Sequence, residues 1–275
     1  MHDNTRHYKE SICVAGSFLY GTVCPVLPSG GKRSPKRNVT KDPQKKINQK
    51  NAEMKLTRLI EANFKPNDNS FVLTYDQTSG KTDQNTAKTK ITKFLRRLRY
   101  ICQKYSIELI YIYVTEYGEK GGAIHHHILL PQEIPHDVVE DLWQHGNVLR
   151  KPLYWYKDGI KGFAAYLVKG RVYYRRWNRS KNLIVPQDEL YDDRLSEDDV
   201  KKLTDDIDSG TAHIWFELRH SGFEFLEAIW KKNSTNYGVY IHFTMRKKQP
   251  PKLHSSSRRQ PVRSSTATLR CSSHS

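Results

Sequence analysis

Two imidazoles lie two residues apart in the run Gly122-Ala123-Ile124-His125-His126-His127-Ile128-Leu129-Leu130. On a β-strand, residues i and i+2 share a face, so His125 and His127 can close on one metal ion while His126 turns to the other face, toward packing or solvent. The apolar tail Ile128 to Leu130 marks this strand as partly buried in a sheet. A third ligand is in reach on the neighbouring strand. If Glu116 pairs with His125 and Val114 with His127, the carboxylate sits beside the imidazoles. Glu119 is the rival, but it lies at the turn tip. Two His and a carboxylate suit several divalent metals, so the donor set alone does not name the ion.

A second constellation is Tyr166-Leu167-Val168-Lys169. Positions i and i+3 of a helix share a face, so the phenol and the ammonium can address one phosphate. A free phenol, with a pKa near about 10, is a poor nucleophile at neutral pH. A nearby cation favours the phenolate, and a metal on the phosphate oxygens makes phosphorus more electrophilic. Taken alone, such a spacing is common, a half-buried Tyr beside a solvated Lys. Its meaning depends on what surrounds it.

The elements that must position these side chains are legible in outline. Met54 to Ile60 reads as a short helix, and Ser70 to Tyr75 as a strand bounded by turn residues on both sides. Residues 84–104 form the clearest helix, with Ile91, Phe94, Leu95, Leu98 and Cys102 on one stripe and lysines and arginines over the remainder. Ile107 to Glu116 and Ala123 to Leu130 make a hairpin across a turn-rich Tyr117 to Gly122. Pro135 opens a helix through about Gln144, and Val148 to Trp155 is a weaker strand. A helix over Lys161 to Lys169 should end at Gly170. Ser196 can cap an acidic helix to about Ile207. Residues 222–232 read as helix-like and 237–245 as strand-like. The order predicts an α+β fold, an antiparallel sheet of about five strands with helices on one face.

The chain has 275 residues and a net charge of +17. That charge invites a polyanionic partner. It is unevenly placed: residues 29–52 carry eight Lys/Arg against Asp42, and residues 246–275 carry eight and no acid. Both segments are rich in Ser, Pro, Lys and Arg, a composition that buries too little surface to order itself. We therefore expect a disordered basic extension over 1–47, a catalytic domain over 48–245 and a disordered Ser-rich tail over 246–275. Ile12 to Leu27 is mildly apolar, but Gly16, Ser17, Gly21, Thr22 and Pro25 dilute it as a leader. The four cysteines show no C-x-x-C spacing, which fits a reduced intracellular location. No P-loop occurs: Gly16 to Thr22 has the glycine spacing without the lysine.

Taken together, these residues resemble the HUH endonucleases, and more narrowly the rolling-circle replication initiator (Rep) proteins of plasmids and phages. Val72-Leu73-Thr74-Tyr75 is similar to their first motif, Thr115-Glu116-Tyr117 with Gly121 to Leu130 to the second, and Ala165 to Lys169 to the third. Arg176 to Leu183 resembles a segment that follows it in some members. The chain departs at His126, where a hydrophobe is usual. It also lacks a clear second catalytic tyrosine, since Tyr173 and Tyr174 fall beyond Gly170. The resemblance implies an HUH/ferredoxin-like split βαβ domain, with Glu116, His125 and His127 holding Mg²⁺ or Mn²⁺. Tyr166 would attack single-stranded or hairpin DNA at a replication origin to leave a 5′-phosphotyrosyl link, with Lys169 offsetting charge. It further implies a host helicase and polymerase as partners, no membrane, and a bacterial cytoplasm. Arg171, Tyr173, Arg175, Arg176, Trp177, Arg179 and Lys181 form a basic, aromatic-interleaved stretch suited to DNA. A relaxase, a transposase and a binding module without catalysis stand as alternatives. A histidine-triad hydrolase is excluded, because position 129 is Leu.

Overall fold

The computed structural model describes residues 7–26, 42–76, 78, 82–118, 122–169, 176–233 and 238–248. The fold is α+β, with ten strands in two five-stranded antiparallel sheets and six helices among the described residues. A hairpin of β1 (Tyr8–Ala15) and β2 (Phe18–Pro25) leads into the long helix α1 (Asp42–Asn63). Then follow β3 (Asn69–Leu73), α2 (Gln84–Lys104), β4 (Ile112–Tyr117), β5 (Ile124–Leu130), α3 (His136–Trp143), β6 (Val148–Pro152) and α4 (Lys161–Lys169). The last third holds β7 (Asn178–Arg179), β8 (Glu189–Leu195), α5 (Glu197–Ser209), α6 (Ala212–Arg219), β9 (Phe223–Lys232) and β10 (Val239–Lys247).

The histidine strand β5 is the centre of one sheet, ordered β6-β3-β5-β4-β7. Because side chains alternate across a strand, its two faces feed two cores. Ile124, Ile128 and Leu130 pack with Phe71, Leu73 and the apolar stripe of α2, together with Val139 and Trp143 of α3. Leu129, with Ile112 and Val114 of β4, packs on the other face against Leu56, Leu59 and Ile60 of α1 and Ala164, Leu167 and Val168 of α4. The expected one-sided covering is thus corrected: helices lie on both faces.

The second sheet, ordered β8-β1-β2-β10-β9, corrects the expectation of a disordered extension over 1–47. Residues 8–25 are a hairpin, with the turn at Gly16 (φ +58°). Its apolar stretch lacks clean alternation because both faces are buried. Ile12, Leu19 and Val23 face α5 and α6, while Ala15, Phe18 and Tyr20 face α1 and Trp155. α1 also begins at Asp42, ahead of the expected boundary at 48. Residues 223–232, expected to be helical, are strand β9 paired along β10. The run Phe223-Glu224-Phe225-Leu226 carries apolar residues at both spacings, and the partner strand decides. Residues 246–248 end β10, and the rest of the expected tail lies outside the described residues.

α5 begins as expected. Ser196 accepts from the Asp199 N–H while the Asp199 carboxylate accepts from the Ser196 N–H, a complete capping box.

Candidate metal and tyrosine site

β4 and β5 pair with Glu116 opposite His125 and Val114 opposite His127, the register expected from the alternation. His125 Nε2 and His127 Nε2 stand 3.0 and 2.6 Å from Glu116 Oε1. The three ligand atoms all fall within 4.8 Å of one another. Donors each about 2 Å from a common ion lie a few ångströms apart, so the group fits a divalent cation without rearrangement of the strands. The rival Glu119 lies outside the described residues.

The site's charges are coupled. Burial alone pushes the Glu116 carboxyl up, but hydrogen bonds and charge from His125 and His127 outweigh it and hold the group at about 2. The same contact with Glu116 raises His125. An ionised carboxylate between two imidazoles is the arrangement a cation would exploit.

His126 behaves otherwise. It is fully buried, with Nε2 2.7 Å from the Tyr75 hydroxyl and Nδ1 2.8 Å from the Thr115 hydroxyl. Burial, with repulsion from His125 and His127, drops it to about 3, so it is neutral and structural.

α4 delivers the tyrosine. Ala164, Leu167 and Val168 anchor the helix in the core, which leaves Tyr166 on the open side, 51% exposed. Its hydroxyl lies 3.4 Å from His127 Nε2 and 3.5 Å from Glu116 Oε1. The start of α4 is itself held: the Ile160 N–H donates to Glu61 Oε1 of α1 (3.1 Å), and the Tyr20 hydroxyl of β2 donates to the same carboxylate. Gly159 makes the approach possible, with φ +86° and no room for a Cβ, which would fall 2.1 Å from Glu61 Oε1.

Lys169 stands one turn after Tyr166, exposed in the last turn of α4. Of the expected DNA contacts, Arg171, Tyr173 and Arg175 lie outside the described residues, as does Gly170. Trp177 is a correction: it packs partly buried against the α1–α4 core, so its ring is not free to stack on a base. Arg176 hydrogen-bonds Gln49 of α1. Arg179 and Lys181 are exposed, but β7 pairs with Ile112 and Tyr113, at the end of β4 away from Glu116.

A feature missed in the sequence adjoins the tyrosine. A cavity of about 470 Å³ opens between His127, Tyr166, Phe163, Val72, Tyr154 and Tyr156. Tyr154 and Tyr156 are 63% and 75% exposed, while Trp155 between them turns inward. Lys151, paired with Ser70 across β3 and β6, stands at its rim. The alternation of Tyr154-Trp155-Tyr156 was the available signal, hidden in a strand that ends at Pro152.

Among the described residues no helix is long and apolar enough to cross a membrane. No curated protein and no solved structure gives a significant match to the chain. A family model does match. It spans residues 69–171, from β3 through the strand that carries His125 and His127 to the end of the Tyr166 helix, and it places this part of the chain in the family of the replication-associated protein ORF2.

Proposed function

We propose that the chain nicks and rejoins single-stranded DNA at a replication origin, with Tyr166 as nucleophile. The observation that carries this reading is the approach of the Tyr166 hydroxyl to within 3.4 Å of His127 and 3.5 Å of Glu116. A phosphate held beside Glu116, His125 and His127 would lie in reach of that oxygen.

Tyr166 Oη attacks phosphorus, the P–O3′ bond breaks, and the departing 3′ oxygen takes up a proton. A 5′-phosphotyrosyl link and a free 3′-OH remain. The bond energy is kept in the link, so attack by a 3′-OH reverses the step and reseals a strand. Lys169, on the same helix face, offsets charge at the phosphate. Glu116, His125 and His127 would hold Mg²⁺ or Mn²⁺, which supplies Lewis-acid polarisation of the phosphate oxygens. The aromatic cavity beside Tyr166 would take the base adjoining the scissile phosphate, by stacking on Tyr154 or Tyr156 with Lys151 toward the backbone. Unwinding and extension from the 3′-OH fall to a host helicase and polymerase.

The test is a pool of random single-stranded oligonucleotides, incubated with the full chain and Mn²⁺ and resolved on a denaturing gel. A covalently shifted protein band is expected, and sequencing the attached DNA would name the site. Tyr166→Phe should abolish the band while retaining a native-gel shift, and chelator should abolish it until Mn²⁺ or Mg²⁺ is restored. A native shift without any covalent band in the wild-type protein would leave only a binding module. A persistent adduct in Tyr166→Phe would remove Tyr166 as the nucleophile.

A further inference from the structure

The outward face of α2 takes no part in the site described above. This helix carries seven Lys/Arg and no Asp or Glu. Its apolar stripe is buried under the sheet, so Lys88, Lys93, Arg96, Arg97 and Arg99 all stand exposed. None of these five side chains enters an ion pair or a hydrogen bond among the described residues. The acids of α3 beside it, Asp137, Glu140 and Asp141, leave them unpaired; Glu140 instead lies 4.0 Å from His136.

This pattern works against the helix itself. Lys93 stands three and four residues from Arg96 and Arg97, and Arg96 three from Arg99. Like charges at these spacings disfavour a helix, and a single Glu would relieve them. Packing of Ile91, Phe94, Leu95 and Leu98 holds the helix regardless. The summed field reaches His145 after α3, where burial together with Lys90, Arg97 and Lys93 lowers the imidazole.

We infer that this face docks the phosphate backbone of double-stranded DNA, an inference that rests on the reading of the chain as acting on DNA. A helix of 21 residues is a straight rod of about 30 Å, close to one turn of duplex. Its charges can neutralise phosphates without reading bases. The exposed tyrosines that suit unpaired bases lie across the sheet, beside Tyr166. A duplex on α2 would therefore be held on one side of the sheet while the single strand is handled on the other.

The test titrates the full chain into a labelled random-sequence duplex of about 30 base pairs, at several salt concentrations. In Lys93→Gln/Arg96→Gln the Kd should rise about tenfold, and the slope of log K against log salt should become shallower by about two. The basic tails contribute equally to both proteins. Adduct formation on single-stranded DNA should be unchanged. Lys93→Glu places a carboxylate four residues before Arg97, a stabilising pair, so circular dichroism should show the helix retained while duplex affinity falls. Unchanged duplex affinity and slope in both variants would overturn the inference, as would loss of binding to anionic lipid vesicles with duplex binding intact. A wild-type protein that forms no adduct would instead sink the nicking reading and leave the duplex titration to decide this one.

Discussion

His126 and Glu61 show how burial decides what a titratable side chain does. His126 sits in a run of three histidines, yet its hydrogen bonds to Tyr75 and Thr115 make it a core residue. His126→Leu should keep the metal ligands on their face and leave two buried hydroxyls short of a partner, at a cost of about 1–3 kcal/mol in urea unfolding. Glu61 is a buried carboxyl of α1 between Tyr20, Ile160 and Gly159. Burial pushes it up to about 7 against the stabilising contacts of Tyr20, Ile160 N–H and Lys161, with Asp158 adding repulsion. The sign follows: from about pH 4.5 to 7 the folded chain holds a proton that the unfolded chain has released, so stability falls as pH rises through this window. The change is about 3 kcal/mol at most. Thermal melts should show Glu61→Gln flattening this dependence, since the amide oxygen still accepts from the Ile160 N–H. An unchanged slope would assign it elsewhere.

Elements explain why the site was legible and its support was not. The i, i+2 rule set His125 beside His127, and a one-residue choice of register set Glu116 opposite; both hold in the paired strands. The helix carrying Tyr166 was readable from its own periodicity and spans Lys161–Lys169 as expected. What steers that helix was invisible, because Glu61 and Tyr20 lie 99 and 140 residues before Ile160 in sequence. Gly159→Ala tests the steering. Its Cβ would enter the Glu61 carboxylate at φ +86°, so we expect a loss of about 1–3 kcal/mol and a fall in adduct formation larger than the fall in single-strand binding. Strand β9 was misread as helix for a related reason: its pairing with β10 outweighs a mixed local pattern.

At the scale of the whole molecule, the matched stretch 69–171 is only part of a folded unit. Helix α1 covers the face of the catalytic sheet that holds Leu129 and Val114, and it also meets Phe18 and Tyr20 of the other sheet. In that second sheet β2 is central, flanked by β1 and β10 from opposite ends of the chain. A fragment of residues 69–171 should therefore expose the apolar inner faces of α4 and β4. We expect it to aggregate or to bind a hydrophobic dye without a cooperative thermal transition, whereas residues 7–248 melt cooperatively. A fragment that unfolds in one sharp step would show the second sheet to be dispensable.

The sequence by itself determined what depends on short spacing: two imidazoles on one strand face, a carboxylate one hairpin away, a tyrosine on a short helix, and the apolar stripe of α2. Strand and helix periods act locally, so residue order alone places those side chains. The tertiary structure decided the rest. It ordered residues 8–25 as strands, turned Trp177 into core, and set Tyr154 and Tyr156 around a cavity beside Tyr166. Each of these depends on contacts between distant parts of the chain, which no local pattern contains.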